Sequence, residues 1–140
     1  RKVAPLTHVI TWGIHQHLKH FGFTIYLCDE GTLVVSGTTI NTGTKIGRHC
    51  IINTSCSIDH DNKFSDFSSA GPGVVTGGNV EVGYQSYLGL GSLVRHNVKI
   101  LDNTIVGFGS LVNKDCKKNS IYWGSPAKKI RKRKNNENYL

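Results

Sequence analysis

No stretch of this sequence holds the ~20 consecutive apolar residues that a membrane-spanning helix requires. Its first residues also lack the basic start, apolar stretch and small-residue cleavage site of a secretory leader. The expectation is a cytoplasmic protein with no membrane partner. Cysteine is sparse: Cys28, Cys50, Cys56 and Cys116 show no Cys-x-x-Cys spacing, so the common redox and zinc signatures are absent. All four fall on inward positions of the repeat set out below and are expected as buried free thiols acting as small hydrophobes. Acidic residues are few, nine against seventeen basic ones, for a formal net charge of +8. Six of the basic residues and one acid lie within 128–140, which leaves a surplus of three for everything before them. So mildly basic a body argues against a nucleic-acid partner. The cluster from Lys128 to Lys134 suits a solvated tail or a small anion-binding patch.

What the chain does have is a six-residue period, a signature of β-solenoids. Starting at Ile40, every sixth position reads Ile46, Ile52, Ile58, Phe64, Ala70, Thr76, Val82, Leu88, Val94, Ile100, Val106 and Val112, and only Thr76 is not apolar. Val34 and Cys28 extend the column toward the N-terminus. Four residues after each of these runs a second column: Thr44, Cys50, Cys56, Asn62, Ser68, Val74, Val80, Ser86, Ser92, Val98, Thr104, Ser110 and Cys116. It is small or β-branched nearly throughout. Each hexad then makes one short strand and one turn, three hexads close a triangular coil, and stacked coils bury a continuous core. Gly or Asn just after the aliphatic (Asn41, Gly47, Asn53, Gly71, Gly77, Gly83, Gly89, Gly107, Asn113) is expected to supply the turn geometry.

A helix is excluded because apolar residues do not recur at i, i+3, i+4 and i+7, and an ordinary sandwich because its strands would not hold one period over fifteen hexads. The predicted fold is all-β, a single-stranded parallel β-helix of about five coils. Residues 1–27 form an irregular N-terminal segment outside the repeat, 28–117 the β-helix domain, and 118–140 a C-terminal turn and basic tail, with Pro126 ending regular structure. His8, His15, His17 and His20 lie in the first segment. Without cysteine or carboxylate support they are read as incidental, and no metal is expected.

The stretch Ile51-Ile52-Asn53-Thr54-Ser55-Cys56-Ser57-Ile58-Asp59-His60-Asp61, followed by Asp66-Phe67 and by Gly71-Pro72-Gly73-Val74-Val75-Thr76-Gly77-Gly78-Asn79-Val80, resembles the NeuD-type sugar acetyltransferases. These include sialic acid O-acetyltransferases and enzymes that N-acetylate nucleotide-linked amino sugars. Gly124-Ser125-Pro126-Ala127-Lys128 resembles the Gly-x-Pro-Ala-Lys signature of hexapeptide acetyltransferases. The resemblance covers roughly residues 31–130. It implies a left-handed coil, against the usual right-handed crossover. It also implies a homotrimer with sites between subunits, acetyl-CoA as co-substrate, a small-molecule sugar acceptor and a place in cell-surface polysaccharide synthesis.

In that family His60 would be the catalytic base. Imidazole is also the side chain that accepts and returns a proton near neutrality without any perturbation. Asp61, and Asp59 as a second option, would hold the ring and stabilise its charged form. The family's oxyanion donor aligns with the N–H of Gly78. By position Gly89, Leu90, Gly107 and Phe108 would wall the acetyl-CoA site, with Lys128, Lys129 and Arg131 near its phosphates and Asn53, Thr54 and Asp59 toward the acceptor.

Two departures stand out. Nine residues after the base, where relatives carry a second histidine assisting at the acetyl-CoA site, this chain has Ser69, a hydroxyl able to donate a hydrogen bond. The nucleotide-sugar-binding α/β domain that often precedes the solenoid has no counterpart in residues 1–27, which points to a different acceptor or a truncated ancestor. The leading reading is an acetyl-CoA-dependent sugar O- or N-acetyltransferase, and the alternative is a non-catalytic β-helix scaffold. A metal-dependent hydratase using His49, His60 and His96 is disfavoured by their spacing in the repeat.

Overall fold

The computed structural model describes residues 27–134 and residue 137. Expectations for the irregular first segment and its four histidines fall outside the described residues, apart from Leu27.

Fifteen two-residue strands run from Leu27–Cys28 to Leu111–Val112. From the second strand on, each is an outward residue followed by the inward member of the hexad, so Lys45–Ile46, Ile51–Ile52, Ser57–Ile58 and Glu81–Val82 all read exposed then buried. A strand alternates its faces with period two, so two residues suffice to send one side chain in and one out. The strands pair in parallel with the strand eighteen residues on, as in Lys45↔Lys63, Ile51↔Ser69 and Ser57↔Val75. Three walls result. The first holds Leu27–Cys28, Lys45–Ile46, Lys63–Phe64, Glu81–Val82 and Lys99–Ile100. The second runs from Leu33–Val34 to Ile105–Val106, and the third from Thr39–Ile40 to Leu111–Val112. Among the described residues there is no helix.

Both columns point into the prism. From Ile46 to Val112 every member of the aliphatic column is buried, Thr76 included, and from Thr44 to Cys116 so is every member of the small column. Each large aliphatic contributes on the order of 1.5–3 kcal/mol by leaving water. Cys50, Cys56 and Cys116 are buried and Cys28 is half-buried, all as free thiols. Burial pushes Cys28 and Cys116 up to about 12, so neither offers a thiolate at neutral pH.

The turn chemistry differs from the expectation. Left-handed backbone does not fall on the Gly or Asn just after the aliphatic but two residues later, at His49, Ser55, Asp61, Phe67, Asn79, Gln85, Asn97 and Asn103 and at Gly31, Gly37, Gly43, Gly73, Gly91 and Gly109. The glycines after the aliphatic serve close approach instead: a Cβ on Gly77 would stand 2.6 Å from the backbone nitrogen of His96, one coil on.

The C-terminal segment is also more ordered than a tail. Ser120–Gly124 joins the second wall and pairs antiparallel with Ala127–Lys132, a six-residue strand carrying most of the basic cluster. Pro126 thus lies in the connection of a hairpin and does not end regular structure. Ile105 pairs Ile121 at an offset of sixteen residues, so the last coil is two residues shorter than the others. That shift brings Tyr122 over the core, where its hydroxyl accepts the N–H of Lys117 at 3.0 Å and closes the end of the prism. Outside the second wall Tyr87, Ile105 and Ile121 form a separate buried apolar cluster.

Candidate active site

The edge joining the third wall to the first is built from turns 41–43, 59–61, 77–79 and 95–97, stacked one coil apart. His60 sits on it with its side chain about half exposed, and its Nδ1 lies 2.8 Å from Asp61 Oδ2. Asp61 adopts left-handed backbone at φ 56, a conformation Asp tolerates better than most residues. Asp59 does not hold the ring, although its charge favours the protonated imidazole as anticipated. Its Oδ1 accepts the backbone N–H of His60 at 2.8 Å and the amide of Asn41, on the preceding coil, at 3.0 Å. Asp59 therefore fixes the turn, and Asp61 fixes the ring. These bonds set the electrostatics. The Asp61 hydrogen bond, with the charge of Asp59 behind it, holds the His60 imidazole above its ordinary value. The Asn41 amide, followed by the His60 N–H, holds the Asp59 carboxyl below its ordinary range.

Gly78 lies one coil above His60. A Cβ built there would fall 2.5 Å from both Cε1 and Nε2 of the imidazole, so only a bare backbone lets the ring lie where it does. The Gly78 carbonyl accepts Asn97 N–H at 3.0 Å, whereas its own N–H has no acceptor among the described residues. At the same repeat position the N–H groups of Arg48, His60 and Tyr84 each take a carboxylate oxygen, from Asp66, Asp59 and Asp102. The corner amide of this solenoid is thus an anion-binding donor in three places, and at Gly78 it is unspent.

Other anticipated residues lie elsewhere. Asn53, Thr54, Gly89, Leu90, Gly107 and Phe108 share the edge between the second and third walls. Asn53 Oδ1 is occupied by its own turn, accepting Thr54 N–H at 2.7 Å. Above them Phe108 packs edge-on to Trp123 with ring centroids 5.8 Å apart, and a Cβ on Gly107 would meet the Trp123 ring at 2.3 Å. Lys128 pairs with Trp123 across the hairpin. Trp123 went unread in the sequence, and its place just before Gly124-Ser125-Pro126-Ala127-Lys128 was the available signal. On this edge Gly73, Gly91 and Gly109 face open space, and the N–H groups of Leu90 and Phe108 have no acceptor among the described residues. Arg131 is drawn into an ion pair with Glu137, which leaves Lys128 and Lys129 as the cations nearest Trp123 along the strand.

Ser69 is a buried outward residue of the second wall, the wall opposite the His60 edge. Within one chain it does not join His60. His96 shares the His60 edge two coils away, while His49 stacks on Phe67 at the edge between the first and second walls. Within one chain the three histidines do not converge. A cavity of about 520 Å³ opens beside the first wall, lined by Lys45, Lys63, Ser65, Asp66 and Tyr84 among others. No anticipated site residue lines it.

No protein-family profile matches the chain. A segment of 67 residues is 38% identical to a chloramphenicol acetyltransferase from Klebsiella aerogenes, covering 48% of this chain and 32% of that protein. The match thus spans about a third of the length of that curated relative. Among solved structures, GDP-perosamine N-acetyltransferase from Caulobacter crescentus, as a variant in complex with CoA and GDP-perosamine, superposes with a TM-score of 0.67 at 26% identity, over 88% of this chain and 65% of that one. A maltose O-acetyltransferase from Clostridium difficile shares the fold with a TM-score of 0.77 at 17% identity, over 95% of this chain and 80% of that one.

Proposed function

We propose that this chain, a hexapeptide-repeat β-solenoid of the acyltransferase family, moves an acetyl group from acetyl-CoA to a hydroxyl or amine of a sugar, with His60 as general base. The observation that carries the reading is the His60 edge: an imidazole held by Asp61 at 2.8 Å, lying against a glycine whose N–H is uncommitted. The segment shared with the chloramphenicol acetyltransferase and the likeness to the perosamine enzyme support the chemistry. The acceptor class is drawn from the NeuD-like motif around His60: sialic acid or a nucleotide-linked amino sugar, within surface-polysaccharide synthesis in the cytoplasm.

Acetyl-CoA supplies the activated thioester. His60 Nε2 takes the proton from the acceptor hydroxyl or amine as its oxygen or nitrogen attacks the thioester carbonyl. Asp61 stabilises the imidazolium that forms. Negative charge gathers on the carbonyl oxygen, and the Gly78 N–H, uncommitted within the chain, would receive it. As the carbon–sulfur bond breaks, His60 returns the proton to the departing sulfur. No cysteine nucleophile is called for, in keeping with thiols held neutral by burial.

The bare glycines and free N–H groups beside Leu90 and Phe108 suit the amide-rich arm of acetyl-CoA, with Trp123 as a wall and Lys128 toward the phosphates. That edge and the His60 edge belong to different corners of one prism. A complete site therefore needs two subunits, and a homotrimer around a threefold axis brings unlike edges together. Ser69 would contribute a hydroxyl from a neighbouring copy. Residues 28–117 act as the catalytic domain in this scheme, and Asn53 and Thr54 as contacts toward the acceptor.

Calorimetry with acetyl-CoA on the wild type and on His60→Ala, together with thioester consumption across a panel of amino sugars and sialic acids, tests the reading. Binding by both proteins with turnover by the wild type alone supports it. Absence of binding by either leaves the scaffold alternative.

A further inference from the structure

We infer that Asn62, with Thr44 and Thr76, forms a buried positioning cluster that holds the His60 turn and the Gly78 turn in register; the inference rests on the role proposed for that edge. Two side chains break the chemistry of the inward columns. Thr76 is the polar exception among the aliphatics, and Asn62 is the one carboxamide in the small column. Both lie beneath the same turn, and Asn62 is only 1% exposed.

The bonds account for the placement. Asn62 Nδ2 donates to the carbonyl of Asp59 at 2.6 Å and to that of Gly77, one coil on, at 3.1 Å, with the carbonyl of His60 also within 3.4 Å. Its Oδ1 accepts Val80 N–H at 3.1 Å. One side chain thus clasps the coil carrying His60 to the coil carrying Gly78. Thr44 Oγ1 donates to the Asp59 carbonyl at 2.8 Å and accepts Asn62 N–H at 3.1 Å, and Thr76 Oγ1 accepts Asp59 N–H at 3.2 Å. The backbone on either side of the Asp59 side chain is therefore fixed from inside the prism, while that side chain fixes His60 from outside.

The repeat supplies its own control for what the fold alone demands. Elsewhere in the column Thr32 and Ser86 bridge successive coils with a hydroxyl alone, each donating to one carbonyl and accepting the N–H eighteen residues on, Cys56 donates to one carbonyl, and Val74, Val80 and Val98 donate to none, yet the coils stack with the same register. Ser92 even buries a hydroxyl with no partner. Solenoid geometry does not require a carboxamide at this position, and burying one is costly unless its hydrogen bonds are made. Here they are made to the two turns that bear the proposed base and oxyanion donor.

The test compares Asn62→Val, the residue found at three other places in the column, with Thr76→Val, a near-isostere, and with Ser92→Ala as control. Two readouts apply to each: the titration of the His60 ring followed by NMR on the full chain, and steady-state acetyl transfer. The expected result for both valine variants is a folded protein whose His60 titration moves toward the ordinary histidine value. Its kcat falls at least tenfold while KM for acetyl-CoA stays within twofold, and Ser92→Ala changes neither readout. A His60 titration that stays at the wild-type position in folded Asn62→Val and Thr76→Val overturns the inference. Should Asn62→Val fail to fold, Thr76→Val decides on the same criteria. A moved titration in a chain that transfers no acetyl group keeps the positioning role and removes the proposed function, so the two failures are distinct.

Discussion

His60 and Gly78 stand one coil apart on the same edge of the prism, and a methyl group on Gly78 would fall 2.5 Å from the imidazole Nε2. The ring is half exposed, so it has room to swing outward when that space is filled. Gly78 itself is buried, so Gly78→Ala is expected to fold at a cost on the order of 1–3 kcal/mol, as for a methyl added where packing is already close. Its acetyl transfer should fall at least tenfold because the base leaves its seat. Thermal unfolding and thioester release, measured on the same preparation, check both halves. Unchanged turnover would mean the ring does not work from this position.

The acid beside the ring makes a prediction about pH. The neutral imidazole is the base, and the Asp61 hydrogen bond raises its protonation range, so the rate should rise with pH through a value above the ordinary ~6.5 of histidine. Asp61→Asn removes the charge yet keeps an acceptor and a residue that tolerates φ 56. The rising limb of kcat/KM should move to lower pH, with a smaller maximal rate because the imidazolium is less stabilised. A pH–rate profile from 5 to 9 reads both. A limb that stays in place would show that Asp61 does not set the working protonation state.

Much of this geometry was legible in the sequence because a solenoid turns sequence position into spatial position. Residues eighteen apart share an edge, so His60 and Gly78 had to stack, and Gly89 and Gly107 had to share a different edge. The left-handed turn positions were not legible. They are occupied by His49, Ser55, Phe67 and Gln85 as well as by glycine, since the stacked backbone hydrogen bonds of neighbouring turns, such as His49 N–H to the Glu30 carbonyl at 3.0 Å, override local preference. The final hairpin was missed because Pro126 reads as a terminator, yet it sits where neither neighbouring strand needs its N–H. The division of labour between Asp59 and Asp61 required coordinates. Both flank the histidine, and only the fold decides which meets backbone and which meets ring.

Trp123 offers a test of the second edge that is independent of the base. Its ring lies over Gly107 and edge-on to Phe108, an aromatic pair worth about 0.5–1.5 kcal/mol beyond its buried area. Trp123→Ala is expected to lower stability by at least that amount, since the buried half of the ring is lost as well. It should also weaken acetyl-CoA binding about tenfold, or ~1.4 kcal/mol, while kcat at saturation holds. That pattern is the mark of an interaction made equally in ground and transition states. Calorimetry and saturation kinetics separate it from His60→Ala, for which kcat should fall by about 10²–10⁴ with acetyl-CoA affinity unchanged.

The separation of the two edges leads to a prediction about assembly. If each site takes its base from one subunit and its acetyl-CoA wall from the next, two inactive proteins can repair each other. Gly89→Trp fills a position where a Cβ already meets backbone at 2.6 Å and should abolish acetyl-CoA binding on its edge, while His60→Ala removes the base from the other. Unfolding and refolding the two together should produce mixed trimers in which some interfaces pair an intact His60 edge with an intact Gly89 edge. In a random one-to-one mixture, an interface draws each wild-type edge with a chance of one half. About a quarter of wild-type activity should therefore return, while each variant refolded alone stays inactive. The recovered activity should elute at the trimer mass in light scattering. A mixture as inactive as its components, with trimers present and subunits exchanged, would place the whole site within one chain, which the separation of these edges around the prism makes geometrically untenable for an enzyme working through His60.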